Sequence, residues 1–162
     1  MSPRTISPRT MLPRTMFRCR EFYLGLRFGG IDPKATTGKR GEQAAARLLR
    51  QQGLVIVAEN EADRGGEIDL IAIDRQSRTV VFIEVKTHSS IKPGHPAERV
   101  DKLKQGRVTR AAIRYLRRKR LLGVPARFDV VAVWWPRGQI TPKKIKHYES
   151  AFEATGQHQF FS

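Results

Sequence analysis

Two apolar segments of this sequence carry acidic side chains where a buried strand usually carries aliphatic ones. In the first segment, which reads EIDLIAI, the alternation of a strand places Asp69 on the same face as Ile71. In the second, which reads VVFIEVK, Glu84 and Lys86 share a face. A carboxylate in such apolar surroundings is costly unless it is paired or binds a cation. The pattern therefore indicates a site that performs chemistry.

The chemistry that these residue types suit is the hydrolysis of a phosphodiester bond. The two segments form a predicted hairpin, so Asp69 and Glu84 can converge on one divalent ion with Lys86 beside them. Mg²⁺ prefers carboxylate oxygens and accepts phosphate oxygens, and it neutralises the charge that develops during hydrolysis. For Glu84 and Lys86 alone, a solvated ion pair on an exposed sheet face is the simpler interpretation. The additional presence of Asp69 favours the metal site.

A strongly basic segment from Glu98 to Arg120 has the periodicity of a helix with a partial apolar stripe. A surface helix held by salt bridges would interleave acids with these bases, but only Asp101 follows Glu98 here. We therefore expect phosphate contacts; a solvated charged face and a docking site for an acidic protein are the alternatives. The predicted nucleic-acid-binding residues are Lys102, Lys104, Arg107, Arg110, Arg114, Arg117 and Arg118.

The composition points to the same class of partner. The 162 residues include 31 Lys or Arg and 15 Asp or Glu, a formal net charge of +16, which predicts a polyanionic partner. A membrane surface would need a bulkier apolar stripe, and no apolar run is long enough to span a bilayer. The single Cys19 excludes a disulfide framework and a multi-cysteine zinc site. A lone thiol suits a reducing compartment, so we expect a cytoplasmic protein. From the charge and the missing apolar run, we expect it to bind nucleic acid, most simply DNA, and no membrane.

The elements that must position these residues follow from periodicity and turn signals. A helix ends before Gly53, and strands are predicted at 54–58, 67–73 and 79–86. The basic helix comes next, followed by a strand over 127–134, and only short elements are expected between Ile140 and Phe152. The order α-β-β-β-α-β predicts an α/β fold with one mixed sheet flanked by helices.

The ends of the chain differ from this central domain. The first fifteen residues repeat Pro-Arg-Thr three times, a pattern that cannot propagate a helix and offers nothing to bury. We therefore expect residues 1–34 to be a basic, disordered extension. The domain is expected to cover 35–152, with a flexible tail over 153–162.

The acidic segments resemble a known motif. Ile68-Asp69 followed by Glu84-Val85-Lys86 is similar to the PD-(D/E)-x-K motif of restriction-endonuclease-like nucleases. More closely, the chain resembles the YraN family, small bacterial proteins related to Holliday-junction resolvases. The similar stretches are Gly38-x-x-Gly41-Glu42, Gly66 to Ile71, Phe82 to Thr87, Lys104-Gln105 and Arg127 to Ala132.

The resemblance implies a restriction-endonuclease-like fold and a Mg²⁺ or Mn²⁺ site. It implies that Glu42 joins Asp69 and Glu84 at the metal, and that Gln105 touches the catalytic Lys86 or a phosphate. From the sequence alone, Glu42 is equally a first-turn acid that complements the helix dipole, and Gln105 an exposed polar residue. The expected function is a metal-dependent endonuclease acting on structured or branched DNA. The alternative is a nucleic-acid-binding protein of the same fold with little or no turnover; a homodimer is left open.

Overall fold

The computed structural model describes residues 29–63, 65–90 and 101–154. Within them the chain forms helix α1 (Thr37–Gln51), strands β1 (Val55–Asp63), β2 (Gly66–Asp74) and β3 (Thr79–His88), helix α2 (Lys102–Lys119), and strands β4 (Ala126–Trp134) and β5 (Lys144–Phe152). The strands form one sheet in the order β1-β2-β3-β4-β5. Neighbouring strands are antiparallel except β3 and β4, which are parallel. The predicted mixed sheet flanked by helices is confirmed.

The two helices cover opposite faces of this sheet. On the face that we call the α1 face, Ala45 and Leu49 share a core with Val81. On the α2 face, Leu116 shares a second core with Phe82. Because parallel neighbouring strands need a crossover connection, the chain passes through α2 between β3 and β4. The basic helix is therefore fixed on the sheet by its apolar stripe, as its periodicity predicted.

Side-chain caps set where the helices begin. Thr36 accepts a hydrogen bond from the Lys39 N–H at 3.3 Å at the start of α1. Asp101 accepts one from the Lys104 N–H at 2.7 Å at the start of α2. Within the described residues α2 thus begins at Lys102, four residues after the predicted start at Glu98, because the Asp101 carboxylate caps the first turn. Residues 98–100 lie outside the described part.

The fifth strand corrects the expectation of only short elements between Ile140 and Phe152. β5 pairs with β4 from Lys144 to Tyr148 and again at Phe152, with a register shift on β4 between Phe128 and Val130. At its far end the Phe152 ring stacks on Phe128 with centroids 5.0 Å apart. The hydrophobic pattern did not predict this strand, because five of its nine side chains are polar or charged. A strand at the edge of a sheet needs few aliphatic residues to be stable.

A buried polar network fastens β5 to β4 on the α1 face. The Asp129 side chain is fully buried and accepts hydrogen bonds from Arg127 Nε at 3.1 Å and the Ser150 N–H at 2.9 Å. His147 Nε2 lies 2.8 Å from the same carboxylate. Arg127 also pairs with Asp74 at 3.0 Å, across the sheet. Because its partners satisfy the buried charge, this network is structural.

The ends of the predicted domain are described only in part. Residues 1–28, which make up most of the predicted basic extension, and residues 155–162 of the predicted tail lie outside the described residues. Ile31 packs against the core on the α1 face, and the Asp32 N–H donates to Gln43 Oε1 at 2.9 Å. Among the residues described, no helix is long and apolar enough to cross a membrane.

Candidate functional site

The sheet divides into two arms at the acidic residues. Pairing of β2 with β3 runs from Asp74 to Leu70, which lies opposite Ile83. Beyond that point, within the described part of the chain, β2 continues beside β1 alone and β3 continues beside β4 alone. The Asp69 side chain occupies the gap, since its Oδ2 accepts a hydrogen bond from the Val85 N–H at 2.6 Å. We call this gap the fork; continuing the strand register places Asp69 opposite Glu84 at its base.

Glu84 is the more buried of the two acids, with 4% of the residue exposed. Its Oε1 lies 2.8 Å from Lys86 Nζ and 3.2 Å from Lys104 Nζ. Its Oε2 is buried and has no hydrogen-bond partner among the residues that the structure describes. An unpaired oxygen of a buried carboxylate carries a large desolvation cost. The free oxygen is therefore a position at which a cation would restore the lost solvation.

Asp69 is strained electrostatically. Burial raises the pKa of Asp69 from 3.8 to about 6, and repulsion from Glu84 adds to the rise. The Val85 N–H and the charge of Lys104 act in the opposite direction, lowering the pKa of Asp69. Two carboxylates that repel each other in a desolvated position are stabilised when a cation binds between them. Asp69 and Glu84 thus fit a divalent metal by burial, by charge and by the type of ligand atom.

Two lysines flank the acidic pair, and sequence reasoning assigned only Lys86 to the site. The sequence predicts Lys104 as one of the phosphate-binding residues of α2, but its ammonium group contacts Glu84. The Asp101 cap fixes Lys104 in the first turn of α2, and this turn lies beside the fork. Periodicity and spacing could not have shown this contact, because it depends on how α2 crosses the sheet, and the resemblance at Lys104-Gln105 implied a contact with Lys86 for Gln105 only.

Glu42 approaches the site from α1. The charge of Glu42 contributes a small part of the rise in the pKa of Asp69. Glu42 Oε2 lies 3.0 Å from Lys39 Nζ. When the Asn60 side-chain amide is oriented with its nitrogen toward Glu42, that nitrogen also lies 3.0 Å from Glu42 Oε2. Gly41 permits this approach, because a Cβ at position 41 would overlap Thr87 Oγ1 in β3.

The described residues contain no group of three or more His, Cys, Asp or Glu side chains arranged to hold a metal ion. The fork therefore offers a cation the two carboxylates of Asp69 and Glu84. That number is sufficient for Mg²⁺, which binds through one or two carboxylates together with waters and substrate phosphates. The roles of Glu42 as a third ligand and of Gln105, which is half-buried beside Lys104, stay predictions.

The basic residues of α2 are not equivalent. Arg118 forms an ion pair with Glu61 of β1, and its guanidinium lies 5.5 Å from the Tyr115 ring centroid. Arg114 is half-buried, and its guanidinium lies against Gly65 in the β1–β2 turn. The exposed members of the predicted set also include Lys102, Arg107, Arg110 and Arg117. These four are the better candidates for phosphate contacts, since Arg114 and Arg118 also hold β1 and β2 against the helix.

Comparison with known proteins places the chain in a family. Residues 41–133, which include both acids of the fork and both lysines, match the model of the uncharacterised protein family UPF0102. A UPF0102 protein of Rhodopirellula baltica is 60% identical over 144 residues, covering 89% of this chain and 86% of that protein. UPF0102 proteins of Syntrophotalea carbinolica and Chlorobium phaeobacteroides are 38% and 42% identical, and the matches cover 76% and 71% of this chain and 96% and 92% of the relatives. The chain therefore belongs to the uncharacterised protein family UPF0102.

Proposed function

We propose that this protein is a Mg²⁺- or Mn²⁺-dependent endonuclease that hydrolyses phosphodiester bonds in structured or branched DNA. One observation carries the proposal. Asp69 and Glu84 meet at the base of the fork with a raised pKa on Asp69 and a buried, unpaired oxygen on Glu84. A protein gains nothing in stability from such an arrangement, so a functional reason for it is the simplest explanation.

The chemistry divides between the acids and the lysines. Asp69 and Glu84 would hold the divalent cation, which would supply Lewis acidity and charge neutralisation. Lys86 Nζ holds Glu84 Oε1 in place at 2.8 Å, leaving Oε2 for the cation. Its positive charge, 28% exposed on the side chain, would also stabilise negative charge that develops on a phosphate at the fork. Lys104 provides a second positive charge at the same carboxylate.

The substrate assignment has separate support. The similarity of Ile68-Asp69 and Glu84-Val85-Lys86 to the PD-(D/E)-x-K motif supports nuclease chemistry. The net charge of +16 supports a polyanionic substrate. Preference for branched DNA is supported only by the resemblance to relatives of Holliday-junction resolvases.

The test compares four forms of the protein on labelled junction, flap, duplex and single-stranded DNA, with Mn²⁺ or with a chelator. Wild type should cleave at least one of these substrates only when Mn²⁺ is present. Asp69→Asn and Glu84→Gln should abolish cleavage while DNA affinity stays the same or rises, because an anionic cluster near phosphate has been reduced. Asp74→Asn is the matched control, since Asp74 lies on β2 at the end remote from the fork. Cleavage by all four forms at equal rates would show that the site lies elsewhere.

A second candidate is a nucleic-acid-binding protein of the same fold without turnover. The observation that favours it is the contact of both Lys86 and Lys104 with Glu84 Oε1, because two ammonium groups can neutralise the acidic pair without a metal. Titration of Mn²⁺ by calorimetry separates the candidates. If the protein is an endonuclease, it should bind Mn²⁺, and Glu84→Gln should remove that binding. If it is only a binding protein, it should bind DNA without binding Mn²⁺ and without cleavage.

A further inference from the structure

Three lysines lie on the α2 face of the sheet, on the arm of the fork formed by β3, β4 and β5. The strand register places Lys86 beside Ala132 and Ala132 beside Lys146, in one row across three strands. In the adjacent row, Trp134 lies beside Lys144. Paired residues of neighbouring strands project from the same face, and Glu84 shares that face with Lys86. We call Lys86, Lys144 and Lys146 the lysine strip.

The strip and helix α2 lie on either side of the acidic pair. α2 packs over β2 and over the first half of β3, where Tyr115 meets Phe82 edge-on with ring centroids 6.0 Å apart. The strip occupies the second half of β3 and runs outward across β4 to β5. Lys104, at the start of α2, and Lys86, at the start of the strip, both contact Glu84. Basic surface therefore extends in two directions from the same carboxylate.

The outer lysines are exposed and supported from below. Lys144 Nζ lies 5.2 Å from the Trp134 ring centroid and Lys146 Nζ lies 4.5 Å from that of Tyr148. Both lysine residues are exposed, whereas Trp134 is 7% exposed. A cation over an aromatic face is attracted to it, so the rings hold these ammonium groups over the sheet. The acid nearest in sequence, Glu149, approaches Arg127 at 3.7 Å, in the network on the α1 face.

Charge complementarity selects the occupant of this surface. We propose that the lysine strip binds the phosphate backbone of the nucleic acid on the side of the fork opposite to α2. The proposal rests on the proposed function for the identity of the ligand and adds a second binding surface to it. Lys86 and Lys146 are two strand spacings apart, about 10 Å between their Cα atoms, so long side chains from both can reach phosphates of one strand.

The experiment measures binding to a short labelled duplex by fluorescence anisotropy over a range of salt concentrations, with a chelator present to prevent cleavage. Lys144→Gln/Lys146→Gln removes two charges from the strip and leaves Lys86 in place. Arg75→Gln/Arg78→Gln is the matched control, because it removes two exposed charges from the β2–β3 turn at the opposite end of these strands. Circular dichroism melting of both variants checks that folding is retained.

Loss of two phosphate contacts should reduce the slope of log affinity against log salt by about 1.8, since each contact contributes about 0.9 on duplex DNA. If the strip variant and wild type bind with equal affinity at 1 M salt, the strip variant should bind roughly 60-fold more weakly than wild type at 0.1 M salt. The control variant should keep the wild-type slope. A strip variant that also keeps the wild-type slope would overturn the inference.

The outcomes also separate this inference from the proposed function. If wild type binds DNA, the strip variant loses slope and no form cleaves, the strip stands and the endonuclease fails. If wild type cleaves and the strip variant binds like the control, the endonuclease stands and the strip fails. Failure of wild type to bind any nucleic acid would overturn both.

Discussion

Replacing Asp69 by asparagine should stabilise the metal-free fold near neutral pH. The pKa of Asp69 rises from 3.8 to about 6 in the folded protein, so the folded state binds this proton more tightly than the unfolded state does. The stabilising contribution of protonated Asp69 is therefore fully present below about pH 4, and it is lost as the pH rises through about 6. A rise of about two pKa units corresponds to about 3 kcal/mol of lost stability above pH 6. Asparagine mimics the uncharged acid and keeps an oxygen that can accept from the Val85 N–H.

The assay is urea unfolding of wild type and Asp69→Asn in chelator at a series of pH values. Above about pH 7 the variant should be more stable by up to about 3 kcal/mol, a midpoint shift of about 1–3 M urea. Near pH 4 the two curves should coincide. Asp74→Asn provides a control of opposite sign, because Arg127 and Ser77 lower the pKa of Asp74 to about 2. Its stabilising effect is present above the unfolded pKa near 4 and is lost as the pH falls through about 2, so Asp74→Asn should destabilise the fold at neutral pH.

A difference between wild type and Asp69→Asn that does not change with pH would refute the electrostatic account of the fork. A variant less stable than wild type at pH 8 would do the same, since it would mean that the ionised carboxylate is a net stabilising group. Addition of Mn²⁺ supplies an internal check. If the cation binds at Asp69 and Glu84, it should stabilise wild type by mass action and narrow the gap between the two proteins.

Three further predictions concern the packing of α1, the exposed surface of α2 and the ion pair between α2 and β1. Gly41→Ala should lower the free energy of unfolding by about 1–3 kcal/mol, because its Cβ overlaps Thr87 Oγ1. In thermal melting, Thr87→Ala in the same chain should restore much of this loss. A melting temperature unaffected by Gly41→Ala would contradict the close approach of α1 to β3. Arg110→Gln/Arg117→Gln should flatten the salt dependence of binding to two unrelated duplexes equally, by about 1.8 units of slope, because phosphate contacts carry no base information. Arg118→Gln should instead lower thermal stability, since it breaks the ion pair with Glu61; an unchanged slope for the double variant would mean that α2 faces away from the DNA.

The proximity of Asp69 and Glu84 could be predicted because it depends on local information. A hairpin has a register fixed by its turn, and a period of two decides which side chains share a face. The sequence between these residues contains both signals, the turn at 74–78 and the alternation on each side. The order of the first six elements follows from signals of the same kind.

The remaining features depend on contacts between residues far apart in the chain. Lys104 reaches Glu84 only because the apolar stripe of α2 fixes the helix over β2. The division of labour between Arg117 and Arg118 depends on where Glu61 of β1 lies. β5 is held by the buried Asp129 network and by pairing with β4, and neither leaves a hydrophobic pattern in the sequence. Periodicity reports which face of an element is buried, but not which partner lies against it.

The position of β5 at the end of the sheet has a consequence for self-association. A last strand presents unpaired backbone groups that can template pairing with another chain, and natural proteins discourage this with charged side chains and irregular register. Lys144 and Lys146 project from β5, and the pairing shifts between Phe128 and Val130. The same lysines should therefore oppose pairing between the β5 strands of two copies by repulsion. Neutralising these lysines should make the protein more prone to aggregate at low salt. A bound polyanion would also screen the repulsion between the lysines and allow several copies to bind close together along one nucleic acid.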